Sequence, residues 1–183
     1  MRGNHASVAL FQMSGVHLAV ADGATVLIMP VLEFLSPDSV VTSLRARAKK
    51  QILQELSAHA VRQLPALDER EVFETLLQRE RLGSTGIGDG VAIPHGKLPG
   101  LDRLFGLVAR LERPVDFESL DGQPIDIAFL LLAPEGAGAE HLKALAQVAR
   151  LLREPGMLER IRAARDSSAL YSLLTQTTKS EAA

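Results

Sequence analysis

The chain has 183 residues, of which 46% are hydrophobic, and this is enough to bury the core of one domain. Its formal net charge is −2, so the chain lacks the excess of basic residues that is typical of nucleic-acid-binding proteins. The densest basic run, residues 45–50, is typical of a solvated helix face. The sequence contains no cysteine, which excludes a disulfide framework and a thiolate metal site and fits a reducing, cytoplasmic setting.

Residues 7–35 are mostly apolar and are the least typical part of the chain. The run is broken by four polar residues, Gln12, Ser14, His17 and Asp22. No stretch is therefore long enough to span a bilayer, and the broken centre is a poor match to a signal peptide. Two interpretations remain, an extra N-terminal strand or an extension upstream of the native start, with Met29 as initiator. We favour the second, and expect an extension over 1–28, one domain over 29–176 and a frayed tail over 177–183.

From about residue 40 the sequence alternates between helical and strand periodicities, which predicts an α/β domain. Apolar residues spaced three or four apart predict helices, and branched apolar runs bounded by turn residues predict strands. In chain order, the predicted elements are a helix over 46–64, a helix from about 68 to 81, a glycine-rich loop over 83–90, a strand over 91–94, strands over 104–111 and 125–133, and helices over 140–152, 157–164 and 168–174.

Three of these elements carry more detailed expectations. Asp68, with Glu71 three residues later, is a typical helix N-cap. Residues 125–133, IDIAFLLLA, are apolar almost throughout, which predicts a central strand covered on both faces. In the helix over 140–152, the spacing predicts an inward face of Leu142, Leu145, Val148, Ala149 and Leu152.

The most informative stretch is residues 83–97, GSTGIGDGVAIPHGK, in which a glycine-rich turn and a short strand lead to His95. Imidazole is nucleophilic near neutral pH, and a phosphoryl group on its nitrogen can be passed on, so His95 is a candidate for a phosphoryl relay. The alternative is a structural histidine in a turn. Glycines with positive φ can bring backbone N–H groups close to an anion. The residues of this candidate phosphate-cradling loop are Gly83, Ser84, Thr85, Gly86, Gly88 and Asp89.

Two further residues are candidates for the same site. His141 stands at the start of a predicted helix, where free N–H groups and the helix dipole favour anions. Arg79 lies just before the glycine-rich loop, and a guanidinium suits bidentate phosphate contact. The alternative for Arg79 is a solvated pairing with Glu74 or Glu80. The sequence has no P-loop, HExxH or GxSxG motif.

Three runs together carry a family resemblance, namely LLQRERLGSTGIGDGVAIPHGK at 76–97, IDIAFLLLAP at 125–134 and HLKALAQVARLL at 141–152. They resemble the enzyme IIA domain of the fructose and mannitol class of the bacterial phosphotransferase system. Within that class the chain is most similar to the nitrogen-regulatory form. The resemblance covers roughly residues 31–174, and the fold that it implies is a mixed β-sheet flanked by helices on both sides.

The resemblance also implies roles for individual residues. It makes His95 the histidine that is phosphorylated on Nε2, His141 the second active-site histidine and Arg79 the active-site arginine. Asp89 occupies a position where related sugar-specific domains can carry a glutamate. No metal and no cofactor are implied. A free Nε2 on His95 requires that Nδ1–H be held by a backbone carbonyl or a carboxylate, and the sequence leaves both open.

The implied activity is phosphoryl transfer, with a phosphocarrier protein of the HPr type as donor. In a regulatory interpretation, phosphorylation controls targets in nitrogen and potassium regulation, such as transporters or sensor kinases. In a sugar-uptake interpretation, the protein passes the phosphoryl group to a IIB domain. We favour the first, because the glycine-rich loop matches and no IIB or membrane segment is appended. A transfer-inactive binding module is the third interpretation, and nucleic-acid binding and membrane insertion are not expected.

Overall fold

The β-strands that the structure describes form two separate sheets. The structure is a computed structural model that describes residues 9–13, 16–21, 24–28 and 33–175. The first sheet is antiparallel and consists of β1 (Ala9–Met13), β2 (Val16–Ala21) and β3 (Ala24–Ile28) in that order. The second sheet has six strands, β4 (Val40–Leu44), β5 (Gly86–Gly88), β6 (Val91–Ala92), β7 (His95–Leu98), β8 (Phe105–Val115) and β9 (Ile125–Pro134).

The long antiparallel pair of β8 and β9 is the centre of the six-stranded sheet, whose strand order is β4-β8-β9-β6-β5. β4 lies parallel to β8 on one side. On the other side, β6 and β7 both pair in parallel with β9, at successive positions along it. The mixed sheet implied by the resemblance is therefore confirmed.

Helices cover both faces of this sheet. They are α1 (Lys49–Gln63), α2 (Glu69–Arg81), α3 (Gly138–Leu152), α4 (Met157–Ala163) and α5 (Ser167–Thr175), and a 3-10 turn at Pro37–Ser39 precedes β4. α2 begins as predicted, because the Asp68 carboxylate accepts a hydrogen bond of 3.0 Å from the backbone N–H of Glu71. This bond satisfies one of the otherwise free N–H groups at the helix start.

β9 is buried on both faces, as its apolar sequence predicts. Alternate side chains of a strand point to opposite faces. Leu130 and Leu132 join the hydrophobic cluster that includes the buried residues of α1 and α2. Ile127 and Phe129 join the cluster that includes those of α3, α4 and α5. The sheet therefore separates two apolar cores. The candidate site lies outside both of them, at the start of β7.

The structure corrects two expectations about the strands around His95. The glycine-rich run is not a loop throughout, because Gly86–Gly88 forms β5 and pairs with β6 in a hairpin. The sequence analysis places His95 after the strand predicted over 91–94, whereas in the structure the histidine itself belongs to a strand. It begins β7, which continues along β9 after Ile93 and Pro94 interrupt the pairing. Proline has no N–H to donate to the ladder, so the pairing with β9 is interrupted at Pro94 and resumes at His95. β4 was not predicted as a separate strand.

The inward face predicted for α3 is partly wrong. Leu142 is 68% exposed, whereas His141, Ala144 and Leu151 are buried. The helix is rich in alanine and leucine, so its apolar stripe is broad, and spacing alone did not identify which edge packs on the sheet.

The expectation that residues 1–28 are an extension upstream of the native start stays a prediction. Within that range the structure has the three strands β1 to β3 rather than the single strand of the alternative interpretation. Met29 and the predicted tail over 177–183 lie outside the described residues.

Candidate active site

His95 has an imidazole ring whose two nitrogens have different partners. Nδ1 lies 2.7 Å from the backbone oxygen of Ile93. A carbonyl oxygen can only accept a hydrogen bond, so Nδ1 carries the proton in the neutral ring. Nε2 then keeps the free lone pair, and it faces Arg79. The sequence leaves open whether a backbone carbonyl or a carboxylate holds Nδ1–H of His95, and in the structure it is the backbone carbonyl of Ile93.

Arg79 is in the last turn of α2 and reaches across to the histidine. Its Nε lies 3.0 Å from Nε2 of His95, and its Nη1 lies 2.9 Å from the backbone oxygen of Gly83. A guanidinium only donates, so Nε2 accepts, which agrees with a proton on Nδ1. In the described part of the chain, Arg79 forms no ion pair with Glu74 or Glu80. The two bonds fix the guanidinium directly beside the lone pair of His95.

His141, in the first turn of α3, lies next to His95. The two ring centroids are 5.4 Å apart, and the planes are tilted by 55°. The side chain of His141 is buried, with 6% of the residue exposed, and its Nε2 has no hydrogen-bond partner among the described residues. A buried polar nitrogen without a partner costs free energy, so its presence beside a second histidine indicates a place for a polar ligand.

Burial and neighbouring charges keep both rings neutral. Burial is the main cause that lowers the pKa of His95, and the charge of Arg79 lowers it further, against the Ile93 hydrogen bond and the charge of Glu80. Burial also lowers the pKa of His141, to about 4, and positive charge on His95 and Lys97 adds to the effect. Near neutral pH, the His95 lone pair is therefore available for attack.

Unfolding measured as a function of pH tests the neutral state of His141. Its pKa is about 4 in the folded protein, whereas histidine in an unfolded chain titrates near 6.5. Between these values the unfolded chain binds more protons. We therefore expect the free energy of unfolding to be highest above about pH 6.5 and to fall as the pH drops to 4, by on the order of 2–3 kcal/mol. His95 contributes with the same sign.

Urea unfolding of the wild type and of His141→Leu at several pH values between 4.5 and 7.5 isolates this contribution, because carboxylates titrate equally in both proteins. We expect a shallower pH dependence in the variant. An NMR titration of the His141 ring with a midpoint near that of free histidine would contradict the prediction.

Glu80, the residue after Arg79 in α2, has a buried side chain. From the sequence it was expected only as a solvated partner of Arg79. It is 6% exposed. Its Oε2 accepts hydrogen bonds from the backbone N–H of Thr85 at 3.0 Å and from Thr85 Oγ1 at 2.5 Å. Its Oε1 lies 2.8 Å from Nζ of Lys49, at the start of α1. The spacing of Val72, Leu76 and Glu80, four residues apart, was the sequence signal that this side chain points inward.

These bonds hold the chain directly after α2. Lys49 also pairs with Glu118 at 2.8 Å and lies 5.1 Å from the centre of the Phe117 ring. Ser84 Oγ donates to the backbone oxygen of Phe117 at 3.2 Å. The turn that contains Gly83, which anchors Arg79, is therefore tied to α1 and to the segment between β8 and β9.

Removing the Glu80 carboxylate should destabilise the fold. We expect Glu80→Ala to lower the free energy of unfolding by about 2–4 kcal/mol, because Lys49 and Thr85 lose a buried partner. Glu80→Gln should cost less, since its amide oxygen can still accept from Thr85. Urea denaturation at pH 7 measures both. Glu74→Ala, at an exposed position of the same helix, is the control and should change stability by less than about 0.5 kcal/mol. Equal stability of Glu80→Ala and Glu74→Ala would contradict this prediction.

Several N–H groups of the candidate phosphate-cradling loop already have acceptors within the protein. The N–H of Gly83 donates to the backbone oxygen of Glu80 at 3.2 Å, and that of Thr85 donates to the Glu80 carboxylate. The N–H of Gly86 donates to Ser84 Oγ at 3.2 Å. Gly88 belongs to β5. The loop thus uses these donors to hold its own shape, whereas the side chains of His95, His141 and Arg79 lie together at the site.

Asp89 lies away from His95. It forms the turn of the β5–β6 hairpin with φ of 55°, and its backbone N–H donates to Asp121 at 2.9 Å. The next residue, Gly90, accepts a hydrogen bond from the N–H of Asp126 at the start of β9, whereas His95 pairs with Leu131. Five residues of strand separate these levels, which is roughly 16 Å. The structure thus brings His95, Arg79 and His141 together but not Asp89.

Large apolar side chains are exposed close to the site. Leu82 follows the end of α2, three residues after Arg79, and Leu142 follows His141. Leu120 is also exposed, and its backbone N–H donates to Gly86 at 3.3 Å. Leu82 and Leu142 thus place exposed apolar side chains close in sequence to the residues of the site.

Neither a cluster of metal-ligating side chains nor a helix that could span a membrane is present in the described ranges of the chain. No cluster of three or more histidine, cysteine, aspartate or glutamate side chains has an arrangement that could hold a metal ion. None of the helices there has both the length and the apolar character needed to cross a membrane.

The fold and the site define a class of single-domain α/β proteins with a paired-histidine site at the edge of a mixed sheet. Residues 33–177 match the family described as "Phosphoenolpyruvate-dependent sugar phosphotransferase system, EIIA 2". The chain belongs to this family of phosphotransferase enzyme IIA components. The resemblance inferred from the histidine loop, the central strand and the following helix is thereby confirmed.

Individual relatives agree with this assignment. The chain is 59% identical over 146 residues to a nitrogen regulatory protein of Bradyrhizobium diazoefficiens, and the match covers 80% of this chain and 95% of that protein. The crystal structure of nitrogen regulatory protein IIA-Ntr from Neisseria meningitidis matches with a TM-score of 0.73 and 34% identity, over 78% of this chain and 97% of that one. The crystal structure of the mannitol IIA of Escherichia coli matches with a TM-score of 0.63 over 76% and 98% of the two chains, and at 17% identity it shows the fold alone.

Proposed function

We propose that the protein accepts a phosphoryl group on Nε2 of His95 and that its phosphorylation state regulates other proteins. The observation that carries the proposal is the orientation of His95, whose Nδ1 is bonded to the Ile93 carbonyl while Nε2 accepts from Arg79. A nucleophilic nitrogen with a free lone pair beside a guanidinium is suited to phosphoryl transfer. Membership of the enzyme IIA family supports the same chemistry.

The donor is a phosphohistidine of a phosphocarrier protein of the HPr type. Nε2 of His95 attacks the phosphorus in line with the donor's N–P bond, which breaks as the new N–P bond forms. The donor nitrogen leaves with the electron pair of the broken bond, and each ring keeps the proton on its other nitrogen. No proton, metal ion or redox partner is consumed. A second in-line transfer, in which the N–P bond of His95 breaks as the acceptor's new bond to phosphorus forms, passes the phosphoryl group on.

Arg79 and His141 stabilise the charge during this step. Arg79 exchanges its hydrogen bond to the Nε2 lone pair for one to a phosphoryl oxygen, while Gly83 keeps holding its other branch. His141 offers its unpartnered Nε2 to the phosphoryl group in the tautomer that carries a proton there. Both groups are positioned before the phosphoryl group arrives, so little reorganisation is needed.

The regulatory half of the proposal rests on the nitrogen regulatory proteins among the relatives. Phosphorylation adds close to two negative charges beside a surface with exposed Leu82 and Leu142. Such a charge changes the affinity of that surface for a target protein in the cytoplasm. Targets in nitrogen or potassium regulation, such as transporters or sensor kinases, follow from the family resemblance.

Labelling with purified phosphotransferase components tests the proposal. The protein is mixed with phosphoenolpyruvate, the general phosphotransferase enzyme and a phosphocarrier protein, and the phosphorylated peptide is identified by mass spectrometry. We expect an acid-labile, alkali-stable phosphate on His95 that requires the phosphocarrier. Label on another residue would reject the assignment of His95, and the absence of any label would reject the proposal in favour of a transfer-inactive binding module. Fast transfer from the labelled protein to a sugar-specific IIB domain would instead favour sugar uptake.

A further inference from the structure

Lys97 lies on the same side of β7 as His95. The two residues are separated by one position, and alternate side chains of a strand point to the same face. The intervening Gly96 is buried and packs against Thr75 of α2. Lys97 itself is exposed, and its backbone pairs with Ala133 near the end of β9. Its side chain therefore projects from the strand that carries the proposed nucleophile.

The ammonium group of Lys97 lies at the start of α3. A Cβ atom on Gly138, the first residue of that helix, would be 3.7 Å from Nζ of Lys97. Gly138 and His141 are three residues apart and share one side of the helix. The charge of Lys97 is also one of the causes that lower the pKa of His141. The site is thus bordered by the guanidinium of Arg79 from α2 and by the ammonium of Lys97 beside α3.

This position is unfavourable for a cation unless an anion binds there. The N-terminus of a helix carries partial positive charge, which repels an ammonium group. Among the described residues Lys97 forms no ion pair. This includes Glu140, the acidic residue in the first turn of α3. The buried Nε2 of His141 has no partner either. Lys97, the start of α3 and the unpartnered Nε2 of His141 therefore all favour an anion at this place. Glu80, the carboxylate whose charge acts on His95, is paired with Lys49 and not with Lys97.

We propose that Lys97 contacts the phosphoryl group on His95 and is the second cation of the transfer site. This proposal rests on the proposed function of His95. The ammonium group donates hydrogen bonds to phosphoryl oxygens, keeps its three protons and forms no covalent bond. It stabilises both the transferring group and the phosphohistidine product. Lys97 is thus a catalytic residue. Its sequence context does not indicate this role, because a lysine near the end of a strand is usually only a solvated side chain.

Charge removal at Lys97, compared with a matched position, tests this role. Lys97→Gln should slow phosphorylation of His95 by the phosphocarrier by about 10- to 100-fold, and Lys97→Arg should recover much of the rate. Lys143→Gln, which removes an exposed positive charge elsewhere on α3, is the control and should transfer like the wild type. Equal rates for Lys97→Gln and Lys143→Gln would count against the contact.

A second measurement separates this proposal from that for His95. Phosphoramidate phosphorylates histidine without any protein donor, so ³¹P NMR can compare the phosphohistidine of the wild type and Lys97→Gln directly. We expect a changed ³¹P shift and a several-fold changed hydrolysis rate in Lys97→Gln, but not in Lys143→Gln. If only phosphoramidate labels His95, the proposed carrier function fails and this comparison still decides the contact. Identical spectra and hydrolysis rates, or no label on His95 from either donor, would overturn the role of Lys97.

Discussion

Replacing His95 with alanine is expected to abolish phosphoryl transfer to the protein. The imidazole of His95 has a free lone pair on Nε2 that is aligned by the hydrogen bond on its other nitrogen, since Nδ1 is held by Ile93. Loss of a nucleophile of this kind lowers the rate by about 10⁴-fold or more. The measurement is incorporation of acid-labile phosphate from a phosphorylated carrier protein.

His59→Ala is the matched control, because His59 is a half-buried histidine on α1 outside the site. It should be labelled at the wild-type rate. His95 is half-buried at the sheet edge, so we expect His95→Ala to remain folded, and circular dichroism tests this directly. Equal labelling of His95→Ala and the wild type would remove His95 from its role.

Replacing Arg79 with alanine is expected to give the second largest effect, a loss of about 10²- to 10³-fold in transfer rate. Arg79 contacts His95 and the Gly83 carbonyl through two different nitrogens of one planar group. A lysine has a single ammonium group and cannot reproduce this fork, so Arg79→Lys should recover little activity. Arg81→Ala, at an exposed position two residues further along α2, should retain the wild-type rate.

The same substitution should also change the pH dependence of transfer. The charge of Arg79 helps to lower the pKa of His95, so its removal raises that pKa. Protonation of Nε2 blocks attack, and the rate of Arg79→Ala should therefore begin to fall at a higher pH than that of the wild type as the solution is acidified. Rates measured between about pH 5 and 8 test this, and an unchanged rate and pH profile would reject the assignment.

Most of the fold could be predicted from local patterns. The three long helices and the two long strands were expected within a few residues of their observed bounds, because each has a clear apolar period or a continuous apolar run. Short elements were less predictable. β4 has five residues and pairs with β8, which is more than 60 positions away in the sequence. β5 has three residues and pairs with β6 across a tight turn. Such strands are stabilised by their neighbours more than by their own sequence.

The candidate site could be predicted only in part. His95 stood out through the glycine-rich approach, but its grouping with Arg79 and His141 depended on the family resemblance, since 16 and 46 positions separate them from it. The inward direction of Glu80 was visible only as a polar residue on the buried stripe of α2. The separation of Asp89 from His95 could not be read from six positions of sequence, because a hairpin turn and a parallel strand intervene.

By itself the sequence determined the five helices after residue 45 and the two long strands β8 and β9, the histidine that follows the glycine-rich turn and, through its motifs, the family that the chain resembles. These features are local, since they depend on the spacing and chemistry of nearby residues. Only the tertiary structure decided that the Ile93 carbonyl holds Nδ1, that Arg79 faces Nε2, and that Lys97 lies beside the helix of His141. Those contacts depend on how α2, β7 and α3 pack around β9, and packing is a property of the whole chain.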